Sequence, residues 1–212
     1  GKLRLNSAML FAMGFISMFV IGGISGVMVA SVPFDIHVHD TYFIVAHLHY
    51  VLFGGSVFGL YAGIYHWFPK MSGRMMNETL GKVHFILTLV GFNLCFLPMH
   101  KLGLEGMNRR VAEYDPKFAT LNLVVSIGAY ILAVSTFPFL FNVVWSIFKG
   151  EKAPSNPWGG LTFEWQTFSP PPHENFSIDP VLLIEPYEYG TEEAKEIIKA
   201  GPFLATTVGA KV

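Results

Sequence analysis

The stretch Thr41-Tyr-Phe-Ile-Val-Ala-His-Leu-His-Tyr-Val-Leu-Phe-Gly-Gly55 opens a run without Asp, Glu, Lys or Arg that continues to Pro69. A helix needs about 20 apolar residues to cross the hydrocarbon core of a membrane, so this run predicts a membrane-spanning helix. The run carries His47 and His49. Two positions of an α-helix correspond to a rotation of about 200°, so the two imidazoles leave nearly opposite faces. They cannot bind one metal ion together, but each can bind a metal centre on its own side of the helix.

An ionisable side chain at membrane depth is costly and normally has a function. For His47 or His49 alone, the alternative is a core histidine that bonds a neighbouring carbonyl group. The pair, placed back to back, favours a helix that lies between two cofactors.

Composition indicates that the chain is a membrane protein. Apolar side chains make up 52% of its 212 residues and charged ones only 14%, against about 25% charged residues in a soluble domain. Charge-free stretches cover residues 5–34, 41–69, 83–100 and 118–148. The sequence therefore predicts an all-α membrane protein with four transmembrane helices, at about 7–32, 41–68, 80–100 and 118–147.

The predicted four-helix region covers residues 1–148, and a polar, proline-rich extramembrane tail covers residues 149–212. Thr191 as N-cap, the acids that follow it and Gly201 predict a short helix near 191–200. We expect the tail to dock against a partner subunit. The opening Gly-Lys-Leu-Arg-Leu resembles the end of a loop, so we expect the chain to be a piece of a longer polypeptide.

Four spans place both termini on one side of the membrane. Lys and Arg are more frequent on that side, so the positive-inside rule puts the termini in the cytoplasm. The adjacent pair Arg109-Arg110 then lies on the outer side, where the rule disfavours it. Guanidinium groups bind carboxylates through two parallel hydrogen bonds, and lipid headgroups are the alternative partner for a surface pair.

A polar cluster, Asp35-Ile-His-Val-His-Asp40, precedes the second span. Imidazole and carboxylate groups together suit a divalent cation. A solvated polar loop is the alternative. The cluster also leaves open that the protein is a divalent-cation transporter built around residues 35–40.

Three motifs resemble subunit I of the haem–copper terminal oxidases, of the cytochrome c oxidase type. They are His39-Asp-Thr-Tyr-Phe-Ile-Val-Ala-His-Leu-His-Tyr50, Tyr65-His-Trp-Phe-Pro69 and Leu102-Gly-Leu-Glu-Gly-Met-Asn-Arg-Arg110. The resemblance extends to about Phe168 and covers the last four helices of that subunit's bundle. The sequence of residues 32–39 resembles that of bacterial and cyanobacterial members more than that of animal ones. This implies a bacterial cytoplasmic or thylakoid membrane rather than the mitochondrial inner membrane.

The resemblance implies a role for each motif residue. His47 would be the proximal ligand of the high-spin haem iron, where oxygen is reduced, and His49 a ligand of the low-spin haem iron. His39 and Asp40 would bind magnesium or manganese near the interface with subunit II. The other three residues would lie at the haem propionates. Asp35 would be a proton-exit group beside them, and Arg109 and Arg110 would bind them.

The implied cofactors are two haems, of the haem A type, and magnesium or manganese. The copper of the complete subunit would be bound by histidines that this chain does not contain, so the 212 residues alone are expected to be inactive. Expected partners are the N-terminal part of subunit I, subunits II and III, cytochrome c and membrane lipid, with no nucleic acid.

The implied function is electron transfer from cytochrome c to oxygen, coupled to proton translocation. Two alternatives remain besides the transporter. One is a non-catalytic haem-binding module that only transfers electrons. The other is a relative that oxidises quinol.

Overall fold

The computed structural model describes residues 3–176, 184–185 and 187–201, and over these ranges it contains helices but no β-strand. Seven α-helices are α1 Ser7–Ala30, α2 Val32–Val38, α3 Tyr42–Leu52, α4 Phe58–Ser72, α5 Glu78–Leu104, α6 Ala119–Lys149 and α7 Glu192–Ala200. A π-helical segment, Phe53–Val57, joins α3 to α4, and short 3-10 segments cover Pro116–Phe118 and Phe163–Trp165. The all-α prediction is confirmed.

Within the described ranges, four helical segments are long and apolar enough to cross a membrane: Ser7–Ala30, Tyr42–Ser72, Glu78–Leu104 and Pro116–Lys149. These correspond to the four predicted spans. The chain is therefore an integral membrane protein. The second span includes α3, the π-helical segment and α4, and so keeps its helical course past Gly54 and Gly55.

Side-chain caps fix where several helices begin. Asn6 accepts a hydrogen bond from the Met9 amide (2.9 Å) at the start of α1, and Thr41 accepts one from the Phe43 amide (3.2 Å) at the start of α3. Each cap satisfies an amide that has no partner within its helix. The Thr41 cap sets the register of α3 and hence the positions of His47 and His49.

The connection between the first two spans is partly helical rather than a solvated loop. Residues Val32–Val38 form helix α2, with Pro33 in its first turn. Proline suits this position because its missing amide hydrogen would have no helical acceptor there. Asp35 and His39 consequently lie one helical turn apart at the end of the first span.

One compact unit comprises residues 5–64 and 78–142. Within it α3 packs against both α1 and α5. At Gly22 of α1, an added Cβ would lie 2.9 Å from the Val51 amide nitrogen, and at Gly103 of α5 it would overlap the backbone of Phe43. Small residues allow this close approach of helix backbones, which drives helix association in membranes.

In the same unit, α5 and α6 cross through a reciprocal pair of glycines. A Cβ on Gly91 would lie 2.6 Å from the Leu132 amide nitrogen, and one on Gly128 would overlap the backbone of Cys95. Cys95, the single cysteine of the chain, is buried at this crossing as a free thiol.

The other compact unit comprises residues 1–4, 65–77 and 143–212. In its described part, the ammonium of Lys70 is buried and donates to the carbonyl groups of Ser155 (2.9 Å), Thr167 (2.8 Å) and Phe168 (3.1 Å). Arg74 donates to the Gly150 carbonyl (2.9 Å). These bonds hold residues 150–168 against residues 70–74. Further along, α7 begins at the Thr191 cap and ends before Gly201 (φ 67°), as predicted.

Candidate functional site

His47 leaves α3 towards α1. Its Nδ1 atom lies 3.0 Å from the Gly22 carbonyl oxygen and 3.0 Å from the Ser25 hydroxyl oxygen. The ring passes directly over Gly26, where an added Cβ would lie 2.9 Å from the ring carbon Cε1. Gly26 therefore provides the space that this imidazole occupies.

His49 leaves α3 towards α5. Its Nδ1 atom lies 2.7 Å from the carbonyl oxygen of Val45, one turn earlier in the same helix. Its ring is stacked on Phe96 of α5, with 4.2 Å between ring centroids and 14° between ring planes. The predicted divergence of the two histidines is confirmed, because the two rings contact different helices.

The hydrogen bonds of both rings fix which ring nitrogen carries the proton. A carbonyl oxygen can only accept, so each neutral imidazole bonded to one carries its proton on Nδ1. The Nε2 atom then has the lone pair, and among the described residues the hydrogen bonds of both rings involve Nδ1 alone. A histidine held by its other ring nitrogen in this way is the usual arrangement of a metal ligand.

A cavity of about 410 Å³ lies beside His49. Its wall is mostly apolar at one end and carries two guanidinium groups at the other. The lining side chains are Tyr42, Val45, Leu48, His49, Phe96, Met99, Arg109 and Arg110. The cavity thus combines an imidazole, an apolar wall and two positive charges, which suits a planar apolar group with acidic substituents.

Backbone pairing fixes the arginines relative to α3. The Tyr42 amide donates to the Met107 carbonyl (3.0 Å), and the Arg109 amide donates to the Asp40 carbonyl (3.0 Å). Asp40 and Arg110 both adopt a left-handed backbone, with φ of 59° and 64°. Such a conformation is uncommon outside glycine and often marks a functional turn. The two loops therefore hold the arginines at the end of α3 where the second span begins.

The Arg109 side chain has a partner that the sequence did not predict. Its Nε atom donates to Asp40 Oδ1 (2.9 Å), and its Nη2 atom contacts the same oxygen. The hydrogen bond from Arg109 holds the pKa of the Asp40 carboxyl below its usual value. Arg110 makes no ion pair among the described residues. Of the two arginines predicted to bind propionates, Arg109 is therefore already paired with a carboxylate and Arg110 is not.

The predicted divalent-cation residues lie together but form an incomplete set of ligands. His39 Nδ1 lies 3.3 Å from Asp35 Oδ2, and His39 Nε2 lies 3.9 Å from Asp40 Oδ2. Within the described residues no group of three His, Cys, Asp or Glu side chains has metal-binding geometry. A cation at His39 and Asp40 would need further ligands from water or from another chain.

Two residues of this site were absent from the sequence prediction, Ser25 and Phe96. Neither lies in a recognisable motif, and the pairing of α1 and α5 with opposite sides of α3 brings them to the histidines. By contrast, His84 lies outside the site, in an aromatic cluster with Phe11, Tyr61 and Phe139.

Comparison with known proteins agrees with this geometry. The family model described as "Cytochrome C and Quinol oxidase polypeptide I" matches residues 1–131. The chain belongs to this family. The match covers α1 to α5 and the first part of α6, and so includes all seven predicted site residues.

Named relatives of this oxidase family agree over most of the chain. Cytochrome c oxidase subunit 1 of Synechocystis sp. is 67% identical over 91% of this chain, and that of Thermostichus vulcanus is 64% identical over 92%. The matched region is 35% and 36% of those proteins, so the chain spans about a third of the length of these curated relatives. The protein of the same name from Bacillus sp. is 49% identical over 86% of this chain.

The fold also has a structural counterpart. A cryo-EM structure described as a heme-copper terminal oxidase dimer matches with a TM-score of 0.58 at 18% identity, covering 68% of this chain and 27% of the other. At this identity the match supports the arrangement of helices alone.

Proposed function

We propose that this chain forms the C-terminal four-helix part of subunit I of a cytochrome c oxidase, with His47 and His49 binding the irons of two different haems. The observation that carries the proposal is the divergence of the two rings from α3. Each ring has Nδ1 bonded to a carbonyl group, and Nε2 is thereby available to a metal on that side.

His49 would bind the low-spin haem. Its ring opens on the cavity of about 410 Å³, where Phe96 packs parallel to the imidazole and fixes its plane. The haem propionates would lie at the polar end, beside Arg109 and Arg110. Arg110 has no ion pair among the described residues, while Arg109 forms an ion pair with Asp40.

His47 would bind the high-spin haem, at which oxygen is reduced. The Gly22 carbonyl and the Ser25 hydroxyl both lie 3.0 Å from Nδ1 of this ring, and Gly26 leaves room for it. When bound, the haem supplies the redox chemistry, and the chain supplies the axial nitrogen, its orientation and an apolar surrounding that excludes water. Copper ligands would come from the remainder of the subunit.

His39 and Asp40 would contribute two ligands to magnesium or manganese. Their exposure, with side-chain accessibilities of 64% and 62%, leaves both open to ligands from another chain. Asp35, bonded to His39 and near the end of the first span, would serve as a proton-exit group.

The proposed electron path begins at cytochrome c, passes through subunit II to the low-spin haem and continues to the high-spin haem. Oxygen is reduced to water and protons move outward. Partners would be the N-terminal part of subunit I with subunits II and III. The membrane would be the bacterial cytoplasmic or thylakoid membrane, with both termini in the cytoplasm and haem A as the prosthetic group.

The test uses the complete oxidase that contains this chain. Pyridine-haemochrome analysis should give two haems per complex, and carbon monoxide should shift the spectrum of one of them. Absence of Soret absorption would instead favour the cation transporter. A haem-containing complex without a carbon-monoxide-reactive haem would favour the electron-transfer module, and turnover with quinol but not cytochrome c would favour the quinol-oxidising relative.

A further inference from the structure

Ser25 lies beneath the ring of His47, in the contact between α1 and α3. The residue is almost completely buried, at 5% exposure. Its hydroxyl oxygen lies 3.0 Å from His47 Nδ1 and 2.9 Å from the Gly22 carbonyl oxygen. Nδ1 itself lies 3.0 Å from that same carbonyl oxygen. The three groups thus form a closed triangle of hydrogen-bonding atoms.

The position of each hydrogen in this triangle follows from its chemistry. The Gly22 carbonyl can only accept, and the Ser25 hydroxyl donates its one hydrogen to it. The serine oxygen then presents a lone pair to Nδ1, which carries the imidazole hydrogen. That hydrogen is shared between two acceptors, one from the backbone and one from a side chain.

We infer that Ser25 is a positioning residue for His47, setting the ring's rotation and the electron density on Nε2. The inference rests on the proposed role of His47 as the axial ligand of the high-spin haem. Acceptors bonded to the distal nitrogen of a ligating histidine fix its orientation and raise its basicity as a ligand. Ser25 supplies one of the two acceptors here, and the only one that a substitution can remove.

The expected consequence has a definite sign. Removing the Ser25 hydroxyl takes away one acceptor from Nδ1–H, so the imidazole becomes a weaker donor to iron. The iron–histidine bond should weaken, and the reduced iron should become relatively more stable. The iron–histidine stretching frequency should fall and the midpoint potential of the high-spin haem should rise, while the low-spin haem should not change.

The test compares variants in the complete oxidase by resonance Raman spectroscopy of the reduced high-spin haem. Ser25→Ala should lower the iron–histidine stretching frequency, and Ser25→Thr, which keeps the hydroxyl, should restore it. If Ser25→Ala does not assemble, Ser25→Cys keeps the volume with a weak acceptor and should shift the frequency in the same direction. The matched control is Ser17→Ala, because Ser17 is exposed on the same helix and its hydroxyl donates to the Met13 carbonyl (2.9 Å).

Two results would overturn the inference: an unchanged frequency in Ser25→Ala, as in Ser17→Ala, or a shift that Ser25→Thr leaves in place, which would mean altered packing. His47→Ala separates this from failure of the proposed function. If His47→Ala retains the carbon-monoxide-binding haem with an unchanged axial ligand, the proposed function itself is wrong. If that haem is lost and Ser25→Ala has no effect, only the positioning role is wrong.

Discussion

The surroundings of His47 and His49 differ although the two residues lie two positions apart on one helix. His47 depends on a neighbouring helix, since its Nδ1 partners, Gly22 and Ser25, are on α1. His49 is oriented by its own helix through the Val45 carbonyl, and Phe96 of α5 supports only the plane of its ring. The backbone of α3 therefore holds Nδ1 of His49 and α5 sets the plane of its ring, whereas Nδ1 of His47 requires correct packing of α1 against α3.

This difference predicts that changes in α1 act on one haem and changes in α5 on the other. A membrane helix between two cofactors can then tune each of them separately. Substitutions in both surroundings test that separation, beginning with loss of the ligands themselves.

Loss of either histidine should have the largest effect. In the complete oxidase, His47→Ala should remove or disable the high-spin, carbon-monoxide-binding haem, and His49→Ala the low-spin haem, because each imidazole belongs to a different iron. Optical spectra with and without carbon monoxide distinguish the two. If both variants lost the same band and kept the other, the assignment of the two faces to two haems would be wrong.

Adding one methyl group beneath His47 should have the next largest effect. In Gly26→Ala the new Cβ would lie 2.9 Å from the His47 ring, so the ring must move. Such overpacking typically costs about 1–3 kcal/mol. The high-spin haem should show an altered carbon monoxide spectrum and the low-spin haem a normal one. Gly23→Ala is the control, because its added Cβ would meet nothing within 4 Å; an equal effect of both substitutions would contradict the prediction.

The sequence predicts a large part of this arrangement and misses the rest for a physical reason. The charge-free runs predict the four spans, and the two-residue spacing predicts the divergence of His47 and His49. The contacts of Ser25 and Phe96 depend on how separate helices pack, which no local pattern contains. The bond between Arg109 and Asp40 was missed for the same reason, because it joins residues from two loops.

The α5 side should respond to the plane of the His49 ring. Phe96→Leu removes the stacked partner, so the low-spin haem band should shift and broaden while carbon monoxide binding remains normal. Phe85→Leu is the matched control, since Phe85 lies on the same helix and its ring contacts Phe11 of α1. A normal low-spin band in Phe96→Leu, or the same shift in both variants, would show that the stacking does not orient His49.

The smallest effects are expected at the polar end of the cavity, and there the two arginines should differ. Arg110→Gln should lower the midpoint potential of the low-spin haem by tens of millivolts, where about 60 mV is a tenfold change for one electron. An unbalanced propionate stabilises the oxidised iron. Arg109→Gln should lower it less, because two of the Arg109 donors are already bonded to Asp40 and fewer remain for a propionate. Lys variants should recover only part of each shift, since an ammonium lacks the two-pronged geometry.

Redox titration against pH completes this comparison through Asp40→Asn, which should raise the low-spin potential slightly by releasing the Arg109 charge. The bond from Arg109 lowers the pKa of Asp40 from its ordinary 3.8, so the carboxylate stays ionised at every pH above that value. The difference in low-spin midpoint potential between Asp40→Asn and the parent should therefore be constant from pH 8 to pH 5. It should disappear only below pH 3.8, where the Asp40 carboxylate of the parent becomes protonated. A difference that vanished between pH 8 and pH 5 would contradict the prediction, and unchanged potentials in all arginine variants would favour lipid headgroups as their partners.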